Sequence, residues 1–433
     1  MSDYMFMLES HLSPEQNQVV SQVAAAAEKA GVTAFVSGGA LRDMMGGFPI
    51  RDLDFTVEGN ALKVAKLLTD QKAAKVVSKD DTRKAASLRF ANGVESEIAM
   101  AQEARYGKAG SKPKVVPVTI HEDLRSRDFT INSVALSLNP GSRGLLLDPS
   151  NGLGDLERRE LRANSNYTLY DDPSRILRLW RLAVRMDLSI EDRTRSQYEN
   201  VREAGLEKKI PTKALLEELR KMADEPNPGA LLEVLDREGL LSLFSPALTG
   251  AKINQAGFSK FQQALQAIPF GAPFPLERLG LFLFLLTEKF TAKERSQLIL
   301  RLKMPKSDVT IWQKLEGRAK KLQQTLKSAK LKKASLIYDL LQKTPGDEIL
   351  FLYMRSPQRL VHDRIKTYLQ KSLPAVQEVT DRDVAQHRGV EPGEKKFAEA
   401  KRDYIVAKLD GRIRKPAPVE EAPPPAASAS GRR

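Results

Sequence analysis

The sequence predicts an α+β domain at the N-terminus followed by an all-α region. Up to Leu147, short apolar runs of strand length alternate with helical segments. From about residue 170 onward, nearly every segment has the 3.6-residue apolar period of helices. The last residues, 416–433, are mainly Pro, Ala and Ser, cannot build a core, and are expected to be disordered.

Length, charge and residue usage narrow the class of protein. The chain has 433 residues, too many for one compact core, and roughly two to four domains are expected. A formal charge of +14 and a pI of about 9.6, spread along the chain, indicate a polyanionic partner such as nucleic acid. The absence of cysteine excludes disulfides and thiol catalysis, and the four histidines lack metal-ligand spacing. We expect no signal peptide, no membrane or protein partner, and a cytoplasmic location.

The first elements lead into a glycine turn. An alanine-rich helix is predicted over residues 14–30, a buried strand over 33–36, and the first turns of a helix over 40–45. Gly38 and Gly39 lie between the strand and the second helix. A strand–glycine–helix junction exposes backbone N–H groups and a positive helix end, which suits a phosphate. Alone, a Gly-Gly pair is usually only a turn.

Two carboxylates follow this turn. Asp52 and Asp54 belong to a strand-like run over residues 53–57, and side chains two apart on a strand point the same way. Paired carboxylates beside a phosphate cradle suit Mg²⁺ and phosphoryl transfer. An isolated Asp-x-Asp would more often be a solvated loop, so the prediction depends on both features occurring in one unit. Arg42, one helical turn in, is predicted to reach a phosphate rather than lie on the surface.

Periodicity predicts the remaining elements. In the mixed domain these are a helix over 61–68, strands near 75–78, 86–91 and 94–99, a mobile loop over 105–113 and a strand over 115–120. A capped helix start is predicted at residues 171–175, where Asp precedes Pro. Arg178, Arg181 and Arg185 then form a basic stripe on that helix. Further helices are predicted near 212–223, 228–237, 275–287, 292–301, 307–329, 335–342 and 346–353.

Four motifs in order carry a family resemblance. They are Gly38–Asp43 with Asp52-Leu53-Asp54, residues 124–132, the connecting segment 148–157, and residues 171–178. The chain resembles class II tRNA nucleotidyltransferases, the CCA-adding enzymes, and the bacterial poly(A) polymerases of the same family. This resemblance implies a polymerase-beta-like mixed-sheet head followed by an all-α neck, body and tail. The implied limits are 1–147 for the head, 148–225 for the neck, 226–290 for the body and 291–415 for the tail.

The resemblance also implies roles for the head residues. Asp52 and Asp54 would hold two Mg²⁺ ions, and Glu97 falls about where a third catalytic carboxylate belongs. Glu97 is equally well explained as a solvent-facing strand residue. The phosphate ligands would be Gly38, Gly39 and Arg42. The ribose ligands would be Arg127, Asp128 and Asn132, with Asp128 accepting from the 2′-hydroxyl.

The resemblance further implies that residues of the neck select the base of the incoming nucleotide. Asp172 and Arg175 are three apart, hence on one face of a helix, and offer an acceptor and donors that suit C and A. Arg178 completes this base-recognition set. Without the upstream motifs, a cap aspartate and an ordinary ion pair would explain the first two residues. The substrates would be CTP, ATP and tRNA, and the predicted RNA-binding residues are Lys320, Lys321, Lys330, Lys332 and Lys333.

Three functions stay open at this level. The first is addition of C, C and A, or a subset such as A alone, to tRNA. The second is poly(A) synthesis from ATP, disfavoured because that branch tends to have Lys where Arg51 stands. The third is a catalytically weakened RNA-binding paralogue, motivated by departures from the family at Ser126, Gln102 and Ala104. The intact carboxylates argue against the third.

Overall fold

The computed structural model describes residues 3–107 and 113–413. The centre of the predicted 105–113 loop and the predicted disordered tail, 416–433, lie outside the described residues.

The described part of the chain forms two compact units. The first contains the residues up to Ile253 together with Thr287–Pro305, and the second contains Asn254–Leu286 and the residues from Lys306 onward. These limits differ from those expected for head, neck, body and tail at 147, 225, 290 and 415, which stay predictions.

A mixed sheet is the centre of the first unit. The strands of the described residues are β1 (Thr33–Ser37), β2 (Phe55–Glu58), β3 (Ala74–Asp80), β4 (Ala85–Phe90), β5 (Glu95–Met100), β6 (Gln102–Arg105), β7 (Lys114–Pro117), β8 (Ala135–Ser137), β9 (Leu146–Leu147), β10 (Glu160–Leu161) and β11 (Ser189–Ile190). The sheet has the order β3-β4-β5-β2-β1-β8-β9. Its β2–β5 pairing is parallel, whereas its other pairings are antiparallel. The pairs β6–β7 and β10–β11 lie outside this sheet.

Helices cover the sheet and make up most of the rest. In the described residues they are α1 (Asp3–His11), α2 (Pro14–Ala30), α3 (Gly39–Met45), α4 (Ala61–Asp70), α5 (Ile120–Ser126), α6 (Gly152–Glu157), α7 (Thr168–Asp171), α8 (Arg175–Met186), α9 (Asp192–Glu203), α10 (Thr212–Ala223), α11 (Pro228–Arg237), α12 (Gln255–Gln266), α13 (Arg278–Leu286), α14 (Ala292–Leu302), α15 (Lys306–Leu326), α16 (Ala334–Leu341), α17 (Gly346–Arg355), α18 (Arg359–Thr367), α19 (Leu373–Gln377), α20 (Asp381–Arg388) and α21 (Phe397–Leu409). The predicted fold class, a mixed-sheet domain followed by helices, is confirmed.

The core of the first unit lies between the sheet and helices α2 and α4. Val23 of α2, Val36 of β1, Phe55 of β2 and Leu68 of α4 are fully buried in one apolar cluster. Helix α2 begins with a capping box, in which the Ser13 hydroxyl accepts from the N–H of the third helical residue. This packing fixes β1 and β2, the two strands beside the glycine turn.

Three predicted boundaries are wrong in detail. Strand β2 begins at Phe55, so the two aspartates precede it in a loop and strand alternation does not orient them. Strand β7 ends at Pro117, because Thr119 caps helix α5, which starts at Ile120. The helix predicted from 171–175 begins only at Arg175, since the residue before a proline is driven to extended backbone, and Asp172 has φ −134°.

The second unit is helical in its described residues. Helix α13 packs against α15 and α17, and its Leu281, Phe282 and Leu285 are fully buried. The helices predicted near 275–287, 307–329, 335–342 and 346–353 are confirmed to within a few residues at their ends. In the part of the chain that the structure describes, we find no helix with the length and apolar character needed to cross a membrane.

Candidate active site

The predicted glycine turn joins β1 to α3. Gly38 has φ +71° and ψ −123°, a conformation that residues with a Cβ atom rarely adopt. Its N–H donates to Val134 O at 3.0 Å, which ties the turn to the segment before β8. A Cβ atom at this position would lie 3.1 Å from Arg127 Nη1. The turn therefore requires glycine, both for its backbone angle and because an arginine lies against it.

Arg42 lies beside this turn, as predicted. Its guanidinium donates to Asp43 Oδ1 at 2.7 and 2.9 Å and to Asn132 Oδ1 at 2.7 Å. A Cβ atom on Gly39 would lie 3.5 Å from Arg42 Nη2. These bonds engage three of the five guanidinium N–H donors. Arg42 is thus held over the glycine turn with donor capacity left for an anion.

The predicted carboxylates are electrostatically coupled. Burial, followed by the charges of Asp52 and Glu97, raises the pKa of Asp54 to about 6. Glu97 lies on β5, the parallel neighbour of β2, and forms a 3.0 Å ion pair with Arg83. Within the described residues, no three carboxylate or imidazole side chains are already grouped to hold a metal ion. Asp52 and Asp54 nevertheless concentrate negative charge, and a bound hard cation would reduce the repulsion between their carboxylates.

Arg127 has a role that the sequence did not indicate. Its guanidinium donates to Asp123 Oδ2 at 2.7 and 2.9 Å and to the hydroxyls of Ser37 and Thr56 at 3.1 and 3.0 Å. It therefore links helix α5 to the ends of β1 and β2 beneath the glycine turn. Asp123, which also accepts from the Gln102 N–H at 3.0 Å, was missed. Its i,i+4 spacing from Arg127 was the available signal.

Asp128 is the most completely bonded carboxylate of the site. Its Oδ1 accepts from the N–H of Phe129 at 2.7 Å and from Asn132 Nδ2 at 2.9 Å, and its Oδ2 accepts from Arg178. Burial opposes ionisation, but Arg178 and Arg175 outweigh it and hold the pKa of Asp128 well below its usual range. Asp128 is therefore a fixed anion. Asn132 connects it to Arg42, so the predicted phosphate and ribose residues form one hydrogen-bonded chain.

The predicted base-recognition pair is close, although Asp172 precedes the helix. Arg175 Nε lies 3.8 Å from Asp172 Oδ2, and Arg175 also donates to Thr168 O at 3.1 Å. Asp172 Oδ1 accepts from the N–H and hydroxyl of Ser174 at 3.0 and 2.6 Å. The guanidinium of Arg175 lies 6.0 Å from the ring centroid of Tyr106, a cation–π contact. The segment that follows β6 thus reaches the residue predicted to read bases.

Comparison with known proteins agrees with this arrangement. Residues 34–162 match the family described as the poly(A) polymerase head domain. This part of the chain is similar to poly(A) polymerase head domains. The family resemblance drawn from the motifs is thereby confirmed.

Relatives of this head domain include tRNA nucleotidyltransferases. The chain is 28% identical over 342 residues to an A-adding tRNA nucleotidyltransferase of Aquifex aeolicus, covering 78% of this chain and 40% of the relative. It is 34% identical over 220 residues to a CC-adding tRNA nucleotidyltransferase of Deinococcus radiodurans, covering 50% and 58%. The chain thus spans about half the length of these curated relatives. A solved apo CCA-adding enzyme is 25% identical, with a TM-score of 0.57 over 96% of both chains.

The connecting segment fastens the head domain to the helices that follow. A Cβ atom on Gly152 of α6 would lie 2.1 Å from Thr130 O, so this helix start packs directly against the ribose motif. Asp155, fully buried, accepts from the Thr130 hydroxyl at 2.6 Å and pairs with Arg158 and Arg162. Close packing therefore explains the glycine of this motif, Gly152, and buried polar partners explain its aspartate, Asp155.

The predicted RNA-binding lysines belong to the second unit. They lie on the last part of α15 and in the segment that leads to α16, and all are exposed: Lys320, Lys321, Lys330, Lys332 and Lys333. Lys320 forms a 3.0 Å ion pair with Glu316 one turn away. The structure thus leaves these charges at the surface of their own unit.

Proposed function

We propose that this protein adds C, A or both from CTP and ATP to the 3′ end of tRNA in a Mg²⁺-dependent reaction. The observation that carries the proposal is that Asp54 lies beside the glycine turn, where the Ser37 N–H donates to Asp54 O at 3.1 Å, and that Asn132 links Arg42 of the same turn to Asp128. The names of the relatives supply the acceptor, tRNA. A cytoplasmic location is part of the proposal.

The residues present fit a divalent cation. Mg²⁺ is commonly bound by one or two carboxylates together with substrate phosphates and water, so a preformed three-ligand cluster is not needed. The raised pKa of Asp54 reflects burial and repulsion from Asp52 and Glu97, which is the environment a cation stabilises. Asp52 and Asp54 would hold the metal, with Glu97 beside them. When bound, Mg²⁺ activates the RNA 3′-hydroxyl and neutralises the triphosphate.

The chain's own residues would position the nucleotide. The glycine turn between β1 and α3, at Gly38 and Gly39, and the remaining donors of Arg42 suit the phosphates of a nucleoside triphosphate. The ionised Asp128 would accept from the ribose 2′-hydroxyl. Because Asn132 bonds both Arg42 and Asp128, the phosphate and ribose ends are aligned by one linkage. Positioning of this kind supplies much of the acceleration in phosphoryl transfer.

Base choice would follow from Asp172 and Arg175. A carboxylate accepts from the exocyclic amino group of C or A, while the guanidinium donates to ring acceptors. The Arg175 guanidinium also makes a cation–π contact with the Tyr106 ring. The exposed lysines of the second unit would contact the tRNA backbone by charge and shape.

Two other functions remain as outcomes of the test. Poly(A) synthesis shares the head domain and would use ATP alone. A weakened RNA-binding paralogue is disfavoured because Ser126, one departure from the family, fits locally: its hydroxyl donates to Asp123 O at 2.9 Å. The linkages around Asp128 and Arg127 are intact beside it.

The test is an incorporation assay on three tRNAs that end before CCA, after C and after CC. Each is incubated with Mg²⁺ and labelled CTP or ATP. Ordered C, C and A addition supports the full activity, and A addition only after CC identifies an A-adding enzyme. Stopping after CC identifies a CC-adding enzyme, and long A tails identify the polymerase. No incorporation on any tRNA overturns the proposal.

A further inference from the structure

The basic stripe of α8 is neutralised by acids from other elements. Arg178 pairs with Asp128, and Arg185 Nη2 donates to Asp43 Oδ2 at 2.7 Å. Arg181 of the same helix is buried, and its guanidinium donates to Glu218 Oε2 at 3.0 Å and to Glu225 Oε1 at 3.1 Å. The stripe therefore faces the interior of the first unit and contacts both the phosphate-turn helix and the ribose aspartate.

Glu218 of α10 lies between two of these arginines. Its Oε2 accepts from Arg181 Nε at 3.0 Å, and its Oε1 lies 3.7 Å from Arg178 Nε. Lys221 Nζ lies 3.6 Å from the same Oε1. Glu218 is 4% exposed, and although burial opposes ionisation, Arg181, Arg178 and Lys221 hold its pKa below the usual range. It is a buried anion shared by three cations.

Arg178 is consequently divided between two carboxylates. Its Nη1 donates to Asp128 Oδ2, and its Nε lies 3.7 Å from Glu218 Oε1. Asp128 Oδ1 already accepts hydrogen bonds from Phe129 and Asn132, so Oδ2 is the oxygen that accepts from Arg178. A guanidinium released from Glu218 would be drawn more strongly to Asp128, the carboxylate to which it already donates. The stronger attraction would occupy the acceptor capacity of the Asp128 carboxylate and rotate this group, which is the proposed acceptor for the ribose 2′-hydroxyl.

We propose that Glu218 is a positioning residue that, by sharing Arg178 with Asp128, sets the preference for ribonucleotides over deoxyribonucleotides. The inference rests on the proposed function, in which Asp128 accepts from the 2′-hydroxyl. Glu218 itself touches neither substrate nor metal. Removing the Glu218 charge would therefore impair ribonucleotides selectively, because a deoxynucleotide has no 2′-hydroxyl that could bond to Asp128.

The experiment measures kcat/KM for ATP and 2′-deoxyATP on tRNA ending in CC, and for CTP and 2′-deoxyCTP on tRNA lacking CCA. In Glu218→Gln, which keeps the shape and removes the charge, the ribo-to-deoxy ratio falls about 5- to 10-fold, through loss with the ribonucleotide. Glu218→Asp, which keeps the charge on a shorter side chain, gives a smaller fall. The matched control is Glu217→Gln, an exposed neighbour 3.8 Å from Lys213, which keeps the wild-type ratio.

The outcomes separate the two hypotheses. Equal losses with ribo- and deoxynucleotides in Glu218→Gln mean a purely structural role and overturn the inference, while the proposed function stands. Should Glu218→Gln fail to fold, Arg178→Lys makes the same test, because a lysine cannot serve both carboxylates, and its ratio falls as well. An unchanged ratio there also overturns the inference. A wild-type protein that incorporates no nucleotide overturns both.

Discussion

Two basic regions of this protein look alike in sequence and differ in structure. The arginines of α8 (Arg178, Arg181 and Arg185) face Asp128, Glu218, Glu225 and Asp43. Arg181 and Arg185 have side chains only 9% and 4% exposed. The lysines near the end of α15 lie in solvent, and Lys320 is 69% exposed even with its acidic neighbour. One region is an internal ion-pair network and the other a charged surface.

The partners of a basic stripe, rather than the spacing of its charges, decide what the stripe does. A buried cation must be paired, because desolvation is costly, and planar guanidinium suits carboxylate partners. An exposed lysine keeps its hydration and remains available to an external polyanion. The α8 stripe therefore orders the site, whereas the lysines are suited to long-range attraction of RNA. The following variants test this division.

The largest effect is expected from Arg185→Met. The change removes the donor that lies 2.7 Å from Oδ2 of Asp43, a carboxylate only 3% exposed, and leaves Arg42 as the guanidinium bonded to its Oδ1. Breaking one side of such a pair costs about 3–5 kcal/mol in the free energy of unfolding, measurable by urea titration. Lys321→Met, which also replaces a cationic side chain by methionine but at an exposed position, is the control and changes the free energy of unfolding by under about 0.5 kcal/mol. Equal effects of the two substitutions would abolish the distinction between the regions.

Arg318 tests whether the distinction follows structure or position in the sequence. It lies among the lysines of α15, yet it pairs with Asp347 at 2.9 Å and Glu348 at 2.7 Å. Arg318→Met is expected to cost about 2–3 kcal/mol of unfolding free energy, less than Arg185→Met because this arginine is 32% exposed. The salt dependence of tRNA binding should not change. A large loss of tRNA affinity with normal stability would place Arg318 with the RNA-binding surface instead.

A smaller effect, on binding alone, is expected for the exposed lysines. Changing Lys330, Lys332 and Lys333 together to Ala should weaken tRNA binding about tenfold near physiological salt. It should also make the slope of log affinity against log salt shallower by about 2, because phosphate contacts release counterions. Fluorescence anisotropy across a salt series measures both.

The control for the lysine variant removes the same charge from the first unit. Lys72, Lys75 and Lys79, also exposed, are changed together to Ala. A matching loss of affinity and slope in this control would show that overall charge, and not the α15–α16 surface, attracts the RNA.

Local patterns were enough to predict the glycine turn and the elements beside it. The turn at Gly38 and the elements on either side of it follow from short-range preferences, and the structure forms them nearly as predicted. Where prediction failed locally, the cause was also local: Pro173 forces Asp172 out of the helix. The buried cores of α2 and α13 were visible as apolar runs.

Long-range partners were not predictable from one sequence. Arg178 meets Asp128 across 50 residues, and Arg185 meets Asp43 across 142 residues. No spacing rule joins such residues, since their proximity results from the way α8 packs against the head domain. The role of Glu218 and the contact between Tyr106 and Arg175 were not predicted for the same reason.

Asp54→Asn tests whether the carboxylates beside the glycine turn are required for nucleotide transfer. Labelled ATP and CTP incorporation into the three tRNAs is measured with the tRNA affinity of the same variant, and Asp81→Asn, an exposed aspartate outside the site, is the control. We expect incorporation to fall at least about a thousandfold, or about 4 kcal/mol in transition-state stabilisation, while tRNA affinity stays within about twofold. Incorporation within about tenfold of the wild type would contradict the account.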